Sequence, residues 1–377
     1  MRIGLNATCF DDRASGAKQR FLGIYGALIS AHPEIDFFIY EPADCRVAQW
    51  FGGAANVFGR PTPVPSKGQL RKAVAGAMFW RHRLRADRLD LFETFNLPMV
   101  VAPDCPTLLT IHDIRYVQED VAPIKRLANS IVLRRALAGA ARVVAVSETI
   151  RSEILHFCPG AQVTTVYNGV DRARFDDPGA AAIAAVRALF DLPEHFALAV
   201  GHIEPRKNYG TAVAAFAELA RRGSELNLVI VGRDSGECEQ IHLEIARQGV
   251  VDRVRILGDV DDAALQCLYR TCELVLLPSL YEGFGLALLE AMAASRPLVL
   301  SDIAVFRELT ESQGCYFPPT DGIACAGRME AVRSDSGLSA ALVAYGERRV
   351  ADFAFPTLAE EVYALYLKLA SSPVLAV

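Results

Sequence analysis

The chain has 377 residues, of which 52% are hydrophobic and 22% are charged, and its formal net charge is −5. A chain of this length usually divides into two domains, because a single hydrophobic core stops growing at about 250–300 residues. The composition excludes a disordered chain, the apolar runs are shorter than the about 18 residues of a membrane-spanning helix, and the negative total charge disfavours nucleic acid as a partner.

Cysteine and histidine usage disfavours disulfides and zinc. The nine cysteines are an odd number without Cys-x-x-Cys spacing, and the seven histidines are scattered without finger spacing. The first residues, MRIGLN, are typical of a strand rather than of a signal peptide, because polar residues follow within a few positions. We therefore expect a cytoplasmic protein.

Strand-like and helix-like patterns alternate along the first 175 residues, which predicts a parallel sheet covered by helices on both faces. Strands are predicted at 3–6, 37–40, 89–93, 107–111, 142–146 and 163–166, and helices at 17–31, 125–138 and 148–157. Residues 1–175 also carry 22 Lys and Arg against 16 Asp and Glu, whereas the remainder carries 17 against 28. The basic half could therefore face an anionic acceptor or a membrane surface.

A basic segment lies within this half at residues 66–88. Seven cations flank an apolar centre that contains Phe79 and Trp80, and Asp87 is the single acid in the segment. Such a composition is typical of an amphipathic helix on an anionic membrane surface, which would make the protein peripheral on the inner membrane face. An ordinary surface helix explains the composition about equally well.

The alternation restarts after a polar stretch at 171–179. Strands are predicted at 197–200, 226–231, 254–257, 274–277 and 297–300, with helices at 209–222 and 357–369. We therefore predict a domain boundary near residue 175.

Two adjacent cations, Arg206 and Lys207, occupy the loop between a predicted strand and the helix that begins at Tyr209. Open α/β sheets bind ligands beyond the carboxyl ends of their strands, where this loop lies. An arginine fork and a lysine point charge together could neutralise a diphosphate and follow charge onto a leaving oxygen. An isolated Arg-Lys pair is more often a solvated loop, so the diphosphate interpretation depends on a second motif.

The second motif is EGFGLALLE at 282–290, which places Glu282 and Glu290 eight residues apart after a predicted strand. If a helix begins near Gly283, Glu290 lies in its second turn, about 10 Å from the turn that contains Glu282. That distance is similar to the one between a pyrophosphate and a ribose. The glycines let backbone approach a ligand closely, and a helix N-terminus favours anionic oxygens. Both motifs together indicate a ligand with phosphates and hydroxyls.

The sequence DVD at 259–261 could in principle hold a divalent cation. We favour a simpler interpretation, in which Asp261 or Asp262 is the N-cap of the following helix. Because Arg206 and Lys207 already supply positive charge, we expect neither a metal ion nor another cofactor.

Together these motifs resemble the retaining glycosyltransferases of family 4, which use nucleotide sugars and adopt the two-domain GT-B fold. The likeness covers most of the C-terminal half, at 201–208, 257–258, 278–281 and 282–293, and extends more thinly to 112–113, 146–148 and 167–171. It implies an α/β chain with two facing Rossmann-like domains and parallel sheets. Residues 1–175 would bind the acceptor and residues 176–356 the nucleotide sugar, and residues 357–377 would join the first domain.

The resemblance also implies roles for individual residues. Glu290 would hold the ribose hydroxyls, Glu282 would contact the transferred sugar, and a neutral His112 would hydrogen-bond a hydroxyl near the reacting centre. Without the resemblance, a histidine after a buried strand is most simply structural. Arg206 and Lys207 would stabilise the leaving diphosphate. The remaining donor contacts are expected at Gly16, Gly201, Gly283, Phe284, Gly285 and Leu286.

The N-terminal loop departs from the family pattern. Many relatives have paired glycines there, whereas this chain has ASGAKQR at 14–20. Gly16 can still supply a tight turn, and Lys18 and Arg20 would suit an acceptor that carries phosphate or carboxylate groups. Asp113 is assigned to the acceptor with them. A solvated first helical turn explains the two cations equally well.

The predicted function is transfer of a hexose from a nucleotide diphosphate to a saccharide or lipid-linked saccharide acceptor. General likeness to bacterial polysaccharide mannosyltransferases, notably at 110–113 and 279–285, favours GDP-mannose as the donor. The first alternative is a glucosyl- or N-acetylglucosaminyltransferase that uses a UDP-sugar, and the second is a nucleotide-sugar 2-epimerase. A sugar-nucleotide-binding protein without activity is disfavoured, because the four residues of the two motifs are all present, namely Arg206, Lys207, Glu282 and Glu290.

Overall fold

The structure is a computed structural model that describes residues 1–13, 15–68, 79–80, 83–95, 97, 104–117 and 122–371. It divides the chain into two compact units, one formed by Met1–Gly169 with Phe355–Val377 and the other by Val170–Ala354. The α-helices of the described residues are α1 (Gly16–Arg20), α2 (Gly26–Ala31), α3 (Pro123–Gly139), α4 (Glu148–Phe157), α5 (Ala180–Leu189), α6 (Tyr209–Arg221), α7 (Cys238–Gln248), α8 (Asp262–Thr271), α9 (Leu286–Ala293), α10 (Ala304–Leu309), α11 (Gly322–Ser334), α12 (Ser336–Arg349) and α13 (Phe355–Ala370).

Within the described residues, the first unit is built on a seven-stranded parallel sheet with the order β3-β2-β1-β4-β5-β6-β7. The strands are β1 (Arg2–Asn6), β2 (Asp36–Glu41), β3 (Val57–Pro61), β4 (Leu91–Thr94), β5 (Thr107–Ile111), β6 (Arg142–Ala145) and β7 (Val163–Thr165). All five residues of β5 are buried, as expected of a central parallel strand that helices cover on both faces.

The C-terminal helix α13 packs in the core of the first unit. Its buried residues include Leu358, Val362 and Tyr366, which belong to the same apolar cluster as Ile3 of β1. The hydroxyl of Tyr366 donates to Oε2 of the buried Glu93 at 2.6 Å. Residues 372–377 of the predicted C-terminal segment lie outside the described residues.

The second unit contains, among the described residues, a six-stranded parallel sheet with the order β10-β9-β8-β11-β12-β13. Its strands are β8 (Phe196–Val200), β9 (Asn227–Val231), β10 (Val254–Leu257), β11 (Leu274–Leu277), β12 (Leu298–Ser301) and β13 (Cys315–Phe317). The strand order reverses between the neighbours β8 and β11, and loops at such a reversal form the usual ligand crevice of an open α/β sheet.

The observed division between the units, at Gly169 and Val170, precedes the predicted boundary near residue 175. The intervening residues belong to the second unit because they pack on it. The backbone N–H of Val170 donates to the carbonyl of Phe353, and the Phe175 ring lies 5.5 Å from the Tyr269 ring.

The structure confirms all eleven predicted strands to within about two residues at either end. The two strands that the prediction missed, β3 and β13, have weak signals. β3 is partly exposed and contains Gly59 and Pro61, and β13 is only three residues long. The helix predicted at 17–31 is present, with a π-helical segment, Phe21–Tyr25, between α1 and α2.

Within the basic segment 66–88, residues 69–78 and 81–82 lie outside the described residues. Residues 83–87 are helical, and Arg83 pairs with Asp87 at 3.2 Å. Trp80 is buried against Tyr40 and Phe92, so its ring packs within the first unit. Among the described helices, none combines the length and apolar character needed to cross a bilayer.

Candidate active site

Arg206 and Lys207 lie in a short 3-10 turn, Pro205–Lys207, which follows β8. Pro205 takes the first position of the turn, where its fixed φ is compatible and no N–H is needed. Asn208 ends the turn in the left-handed region, with φ of 55°, and α6 begins directly after it. Asparagine tolerates this conformation better than most residues. The turn therefore brings two cations to the carboxyl edge of the sheet.

The Asn208 side chain joins three loops of this edge. Its Nδ2 donates to the carbonyl of Pro278 at 2.9 Å and to that of Pro319 at 2.7 Å. Its Oδ1 accepts from the hydroxyl of Thr211 at 3.0 Å. One amide thus holds the loops that follow β8, β11 and β13 together.

Both cations bind the same carboxylate. Nη1 of Arg206 lies 2.6 Å from Oε2 of Glu282, and Nζ of Lys207 lies 2.6 Å from Oε1. The hydroxyl of Ser279 donates to the same Oε1 at 2.8 Å, and Nη2 of Arg206 pairs with Glu204 at 2.7 Å. The two sequence motifs therefore meet in one cluster, as predicted from their positions after neighbouring strands.

Glu282 is ionised at any ordinary pH. Burial opposes ionisation of this side chain, which is only 7% exposed, but the adjacent charges of Lys207 and Arg206 prevail and lower its pKa to about 2. Burial likewise opposes the charge of Arg206, but Glu282 and Glu204 raise the pKa of Arg206 above its ordinary value. The cluster is thus a preorganised set of two cations and two carboxylates.

Gly201 follows β8 and leaves room for Lys207. A Cβ at this position would lie 2.7 Å from Cε and 2.8 Å from Nζ of Lys207, and φ is 151°. The lysine side chain therefore passes close to the Gly201 backbone, where the Cβ of any other residue would clash with it. This close approach gives the predicted donor-binding glycine a definite structural role.

Helix α9 begins at Leu286, three residues later than predicted, because Gly285 has a left-handed φ of 102° and serves as its N-cap residue. Gly283 and Phe284 belong to the preceding loop. The Phe284 side chain is buried, with its ring 6.1 Å from that of Phe353, so a donor would meet its backbone rather than its ring.

Glu290 is the fifth residue of α9 and therefore still lies in its second turn. The side chain is buried, and its Oε2 accepts from the hydroxyl of Tyr269 at 2.8 Å. This hydrogen bond orients the carboxylate on the helix.

Sequence reasoning missed three residues of this site: Glu204, Ser279 and Tyr269. Glu204 and Ser279 are neighbours of the two motifs, so their proximity in the chain was an available signal. Tyr269 lies on α8, and nothing in its sequence position indicates a contact with Glu290.

His112 and Asp113 follow β5 in the first unit. Burial, with a smaller effect of the Arg20 charge, lowers the pKa of His112 to about 3, so its imidazole is neutral at pH 7 as predicted. Oδ1 of Asp113 accepts from the backbone N–H of Arg115 at 3.2 Å.

The structure corrects one expectation for the N-terminal loop. Gly16 is the first residue of α1 and not part of a tight turn, because Ser15 is the N-cap and accepts from the N–H of Lys18. Lys18 is half-buried, with Nζ 3.1 Å from the carbonyl of Asp12 and 4.0 Å from the centre of the Trp50 ring. Ala14 lies outside the described residues.

Arg20 is 2% exposed, so the expectation of a charge on the helix surface is wrong for this residue. Its Nη1 donates to the carbonyls of Val166 and Tyr167 and to Oδ1 of Asn168. Arg20 therefore holds the segment after β7 inside the first unit, and this burial does not fit an acceptor contact through its side chain.

Asp261 is the N-cap of α8, since its Oδ1 accepts from the N–H of Ala264 at 2.8 Å. This confirms the capping interpretation of the DVD sequence.

Two family models match most of the chain between them. The model described as Glycosyltransferase Family 4 matches residues 15–174, and the model described as Glycosyl transferases group 1 matches residues 186–349. The chain belongs to glycosyltransferase family 4.

Mannosyltransferases are among the relatives of this family 4 protein. A lipopolysaccharide core biosynthesis mannosyltransferase from Rhizobium leguminosarum bv. viciae is 32% identical over 219 residues, which cover 55% of this chain and 60% of the relative. A phosphatidyl-myo-inositol mannosyltransferase from Mycobacterium leprae is 31% identical over 172 residues, which cover 45% of each chain. The matched stretches thus span about half the length of these curated relatives.

Solved structures show that this family 4 protein has the GT-B fold. Sucrose-phosphate synthase from Thermosynechococcus elongatus has a TM-score of 0.81 at 21% identity, over 98% of this chain and 100% of that one. HepE from Anabaena, solved in complex with UDP-glucose, has a TM-score of 0.76 at 19% identity, with the same coverage. At these identities the likeness shows the fold alone.

Proposed function

We propose that this protein is a retaining glycosyltransferase that moves a hexose from a nucleotide diphosphate to an acceptor hydroxyl without a metal ion. The observation that carries the proposal is the cluster in which Arg206 and Lys207 share the buried carboxylate of Glu282 at 2.6 Å. Two cations held this closely at the carboxyl edge of an α/β sheet suit a diphosphate, which gains negative charge as the sugar leaves.

The arrangement leaves hydrogen-bonding capacity for phosphate oxygens. A lysine ammonium has three N–H donors and a guanidinium has five, and Glu282 and Glu204 accept from only some of them. Because the carboxylates fix both side chains, little reorganisation accompanies charge development on the leaving oxygen. The backbone of Gly283 and Gly285 and the N-terminus of α9 would assist in binding the diphosphate.

In the proposed reaction, the acceptor oxygen forms a bond to the anomeric carbon on the face from which the diphosphate departs. The bond between that carbon and the phosphate oxygen breaks, and the acceptor proton passes to the leaving phosphate. No protein nucleophile is required. The neutral imidazole of His112 would hydrogen-bond a sugar hydroxyl near this centre, and its lowered pKa supports that role.

GDP-mannose is the proposed donor, and a saccharide or lipid-linked saccharide is the proposed acceptor. Similarity to two mannosyltransferases supports mannose; one is a lipopolysaccharide core biosynthesis mannosyltransferase and the other a phosphatidyl-myo-inositol mannosyltransferase. A UDP-sugar is the alternative donor; HepE, which has the same fold, was solved in complex with UDP-glucose.

A thermal-shift panel of GDP-mannose, UDP-glucose and UDP-N-acetylglucosamine tests the donor. A donor at 100 times its dissociation constant stabilises the folded state by about 2.7 kcal/mol, which raises the melting temperature measurably. We expect the largest shift with GDP-mannose. A larger shift with either UDP-sugar would replace the proposed donor.

Mass spectrometry and NMR of products on lipid-linked saccharides test the reaction. We expect a hexose added with the anomeric configuration of the donor, nucleoside diphosphate as the second product, and equal rates with and without EDTA. Inverted product, loss of activity in EDTA, or return of an epimerised nucleotide sugar would each contradict the corresponding part of the proposal.

A further inference from the structure

Helix α3 presents an unusual apolar stripe on the surface of the first unit. Ile124 is 86% exposed, Leu127 is 64% exposed and Ile131 is 45% exposed. Their spacing of three and four residues places them on one face of the helix. The opposite face of the helix, with Leu133, Ala136 and Leu137, is buried in the unit. The helix therefore has a second apolar face, which does not pack in the core.

The charge of the same helix is entirely positive. The sequence of α3 contains Lys125, Arg126, Arg134 and Arg135 and no Asp or Glu. Arg134 and Arg135 are exposed in the later turns of the helix, on the same side as the apolar stripe. Lys125 is exposed beside Ile124. The first turns of α3 also border a surface pocket of about 480 Å³ whose lining includes Arg126 and Leu127.

We propose that α3 docks this protein on an anionic lipid bilayer, with the apolar stripe inserted among the headgroups and the cations paired with lipid phosphates. Contiguous apolar side chains that are exposed on a protein surface indicate an interaction site. A helix with an apolar face, flanking cations and no acids matches the interfacial helices of peripheral proteins. Charge complementarity favours an anionic bilayer over a second copy of a chain whose net charge is −5.

The proposed lipid-linked acceptor would be confined to such a bilayer, so this inference rests on the proposed function. Docking itself can be measured without any sugar or acceptor. Each cation near an anionic surface contributes about fivefold to partitioning, and salt weakens this contribution.

Vesicle sedimentation tests the docking surface. The probes are phosphatidylcholine vesicles with and without about one-third phosphatidylglycerol, at low and high salt. We expect the wild-type chain to bind only the anionic vesicles, and more weakly at high salt. The triple variant Ile124→Ser, Leu127→Ser and Ile131→Ser should bind at least about tenfold more weakly. The double variant Lys125→Gln and Arg135→Gln should bind the anionic vesicles about 25-fold more weakly at low salt, with a smaller difference at high salt.

The control is Leu243→Ser on α7 of the second unit, because Leu243 is 59% exposed but lies on a helix with acidic residues. It should sediment like wild type. Arg85→Gln tests the basic segment 66–88 in the same assay, since the Arg85 side chain is 67% exposed.

Three outcomes would overturn the proposal: absence of wild-type binding to anionic vesicles, binding of the triple variant at the wild-type level, or loss of binding in Arg85→Gln alone. Light scattering that shows a wild-type dimer, abolished in the triple variant, would assign the stripe to a second copy instead. All variants should hydrolyse or transfer from a soluble donor at wild-type rates. Failure of docking with intact turnover would therefore remove this inference and leave the proposed function standing.

Discussion

Charge compensation by Glu282 explains how Arg206 and Lys207 can lie side by side in a partly buried loop. Unpaired, either cation would lose hydration without replacement. The carboxylate accepts from both at 2.6 Å, and Glu204 provides a second partner for Arg206. The two cations are therefore positioned by two acids, Glu282 of the second motif and Glu204, for which the sequence indicated no role.

We predict that Lys207→Ala and Arg206→Ala each lower kcat by about 100-fold or more and change KM much less. Their charges would stabilise the leaving diphosphate mainly in the transition state, where its charge increases. Steady-state kinetics with the preferred donor measures this difference. Arg221→Ala, at the exposed end of α6, is the control and should retain both constants. Wild-type turnover in both variants would remove their role in the reaction.

Glu282→Gln should destabilise the second unit by about 3 kcal/mol at pH 7, because two cations lose their shared counter-charge. The pKa of Glu282 is about 2, compared with an ordinary value of 4.5. Its ionised form therefore contributes stability that is complete above pH 4.5 and is lost as the pH falls towards 2; the full contribution is about 3 kcal/mol.

Urea unfolding of wild type and Glu282→Gln at several pH values measures this contribution. The difference between the two proteins should be constant from pH 7 to 5 and narrow below about pH 4.5. Glu244→Gln, which removes a surface pair with Arg247, should cost less than about 1 kcal/mol. A difference that stays unchanged down to pH 3 would contradict the linkage to Glu282.

Glu290→Ala should mainly weaken binding of the nucleoside diphosphate, by about tenfold or more, because hydrogen bonds to ribose hydroxyls exist before and during the reaction. Isothermal titration calorimetry measures the dissociation constant. Tyr269→Phe keeps the carboxylate but removes the hydrogen bond that orients it, so its effect should be smaller. Unchanged binding together with reduced turnover would argue against a ribose contact.

Three of the loops at the carboxyl edge of the second sheet are joined by one side chain. Asn208 donates to the carbonyls of Pro278 and Pro319 while its own backbone is left-handed. The loop that carries Arg206 is thereby attached to the loop that carries Glu282. A second backbone contact, from the N–H of Leu280 to the carbonyl of Arg206 at 2.8 Å, reinforces this attachment.

Asn208→Ala should destabilise the second unit by about 2–3 kcal/mol, since two carbonyls lose their donor and alanine is strained at positive φ. Asn208→Gly removes the same hydrogen bonds without the strain and should be about 1 kcal/mol less harmful. Urea unfolding measures both changes. Wild-type stability of the glycine variant would show that the amide contributes nothing to holding the loops.

The first unit is completed by chain from both ends of the sequence. Helix α13 adds its apolar face to the core around β1, and Tyr366 donates to the buried Glu93 of β4. Burial raises the pKa of Glu93, because the charged carboxylate loses its hydration. Hydrogen-bond donors are therefore needed to stabilise its ionised form. The hydroxyl of Thr110 is a second donor, at 2.9 Å.

Tyr366→Phe should destabilise the first unit by about 1–3 kcal/mol, because the buried Glu93 loses a donor. Tyr363→Phe on the same helix is the matched control; Tyr363 is only half-buried and stacks on His32 at 3.7 Å through its ring. It should change stability by less than about 0.5 kcal/mol. Hydrogen exchange of the β4 and β5 amides measures both variants, and equal effects would contradict the special role of Tyr366.

The class of fold and the two motifs of the site were predictable from the residues alone. Alternating apolar runs identified eleven of the described strands, because buried parallel strands are continuously hydrophobic and are separated by breakers. The placement of Arg206, Lys207 and Glu282 together also followed from the sequence, since each motif comes directly after a strand and parallel strands share one carboxyl edge.

The contacts that these residues make became clear only from the folded chain. Tyr269 reaches Glu290 from another helix, Asn208 reaches carbonyls 70 and 111 residues away, and Arg20 is buried although its helix looks exposed from the sequence. Hydrogen bonds and burial depend on packing between distant segments, whereas sequence patterns report only local periodicity and composition.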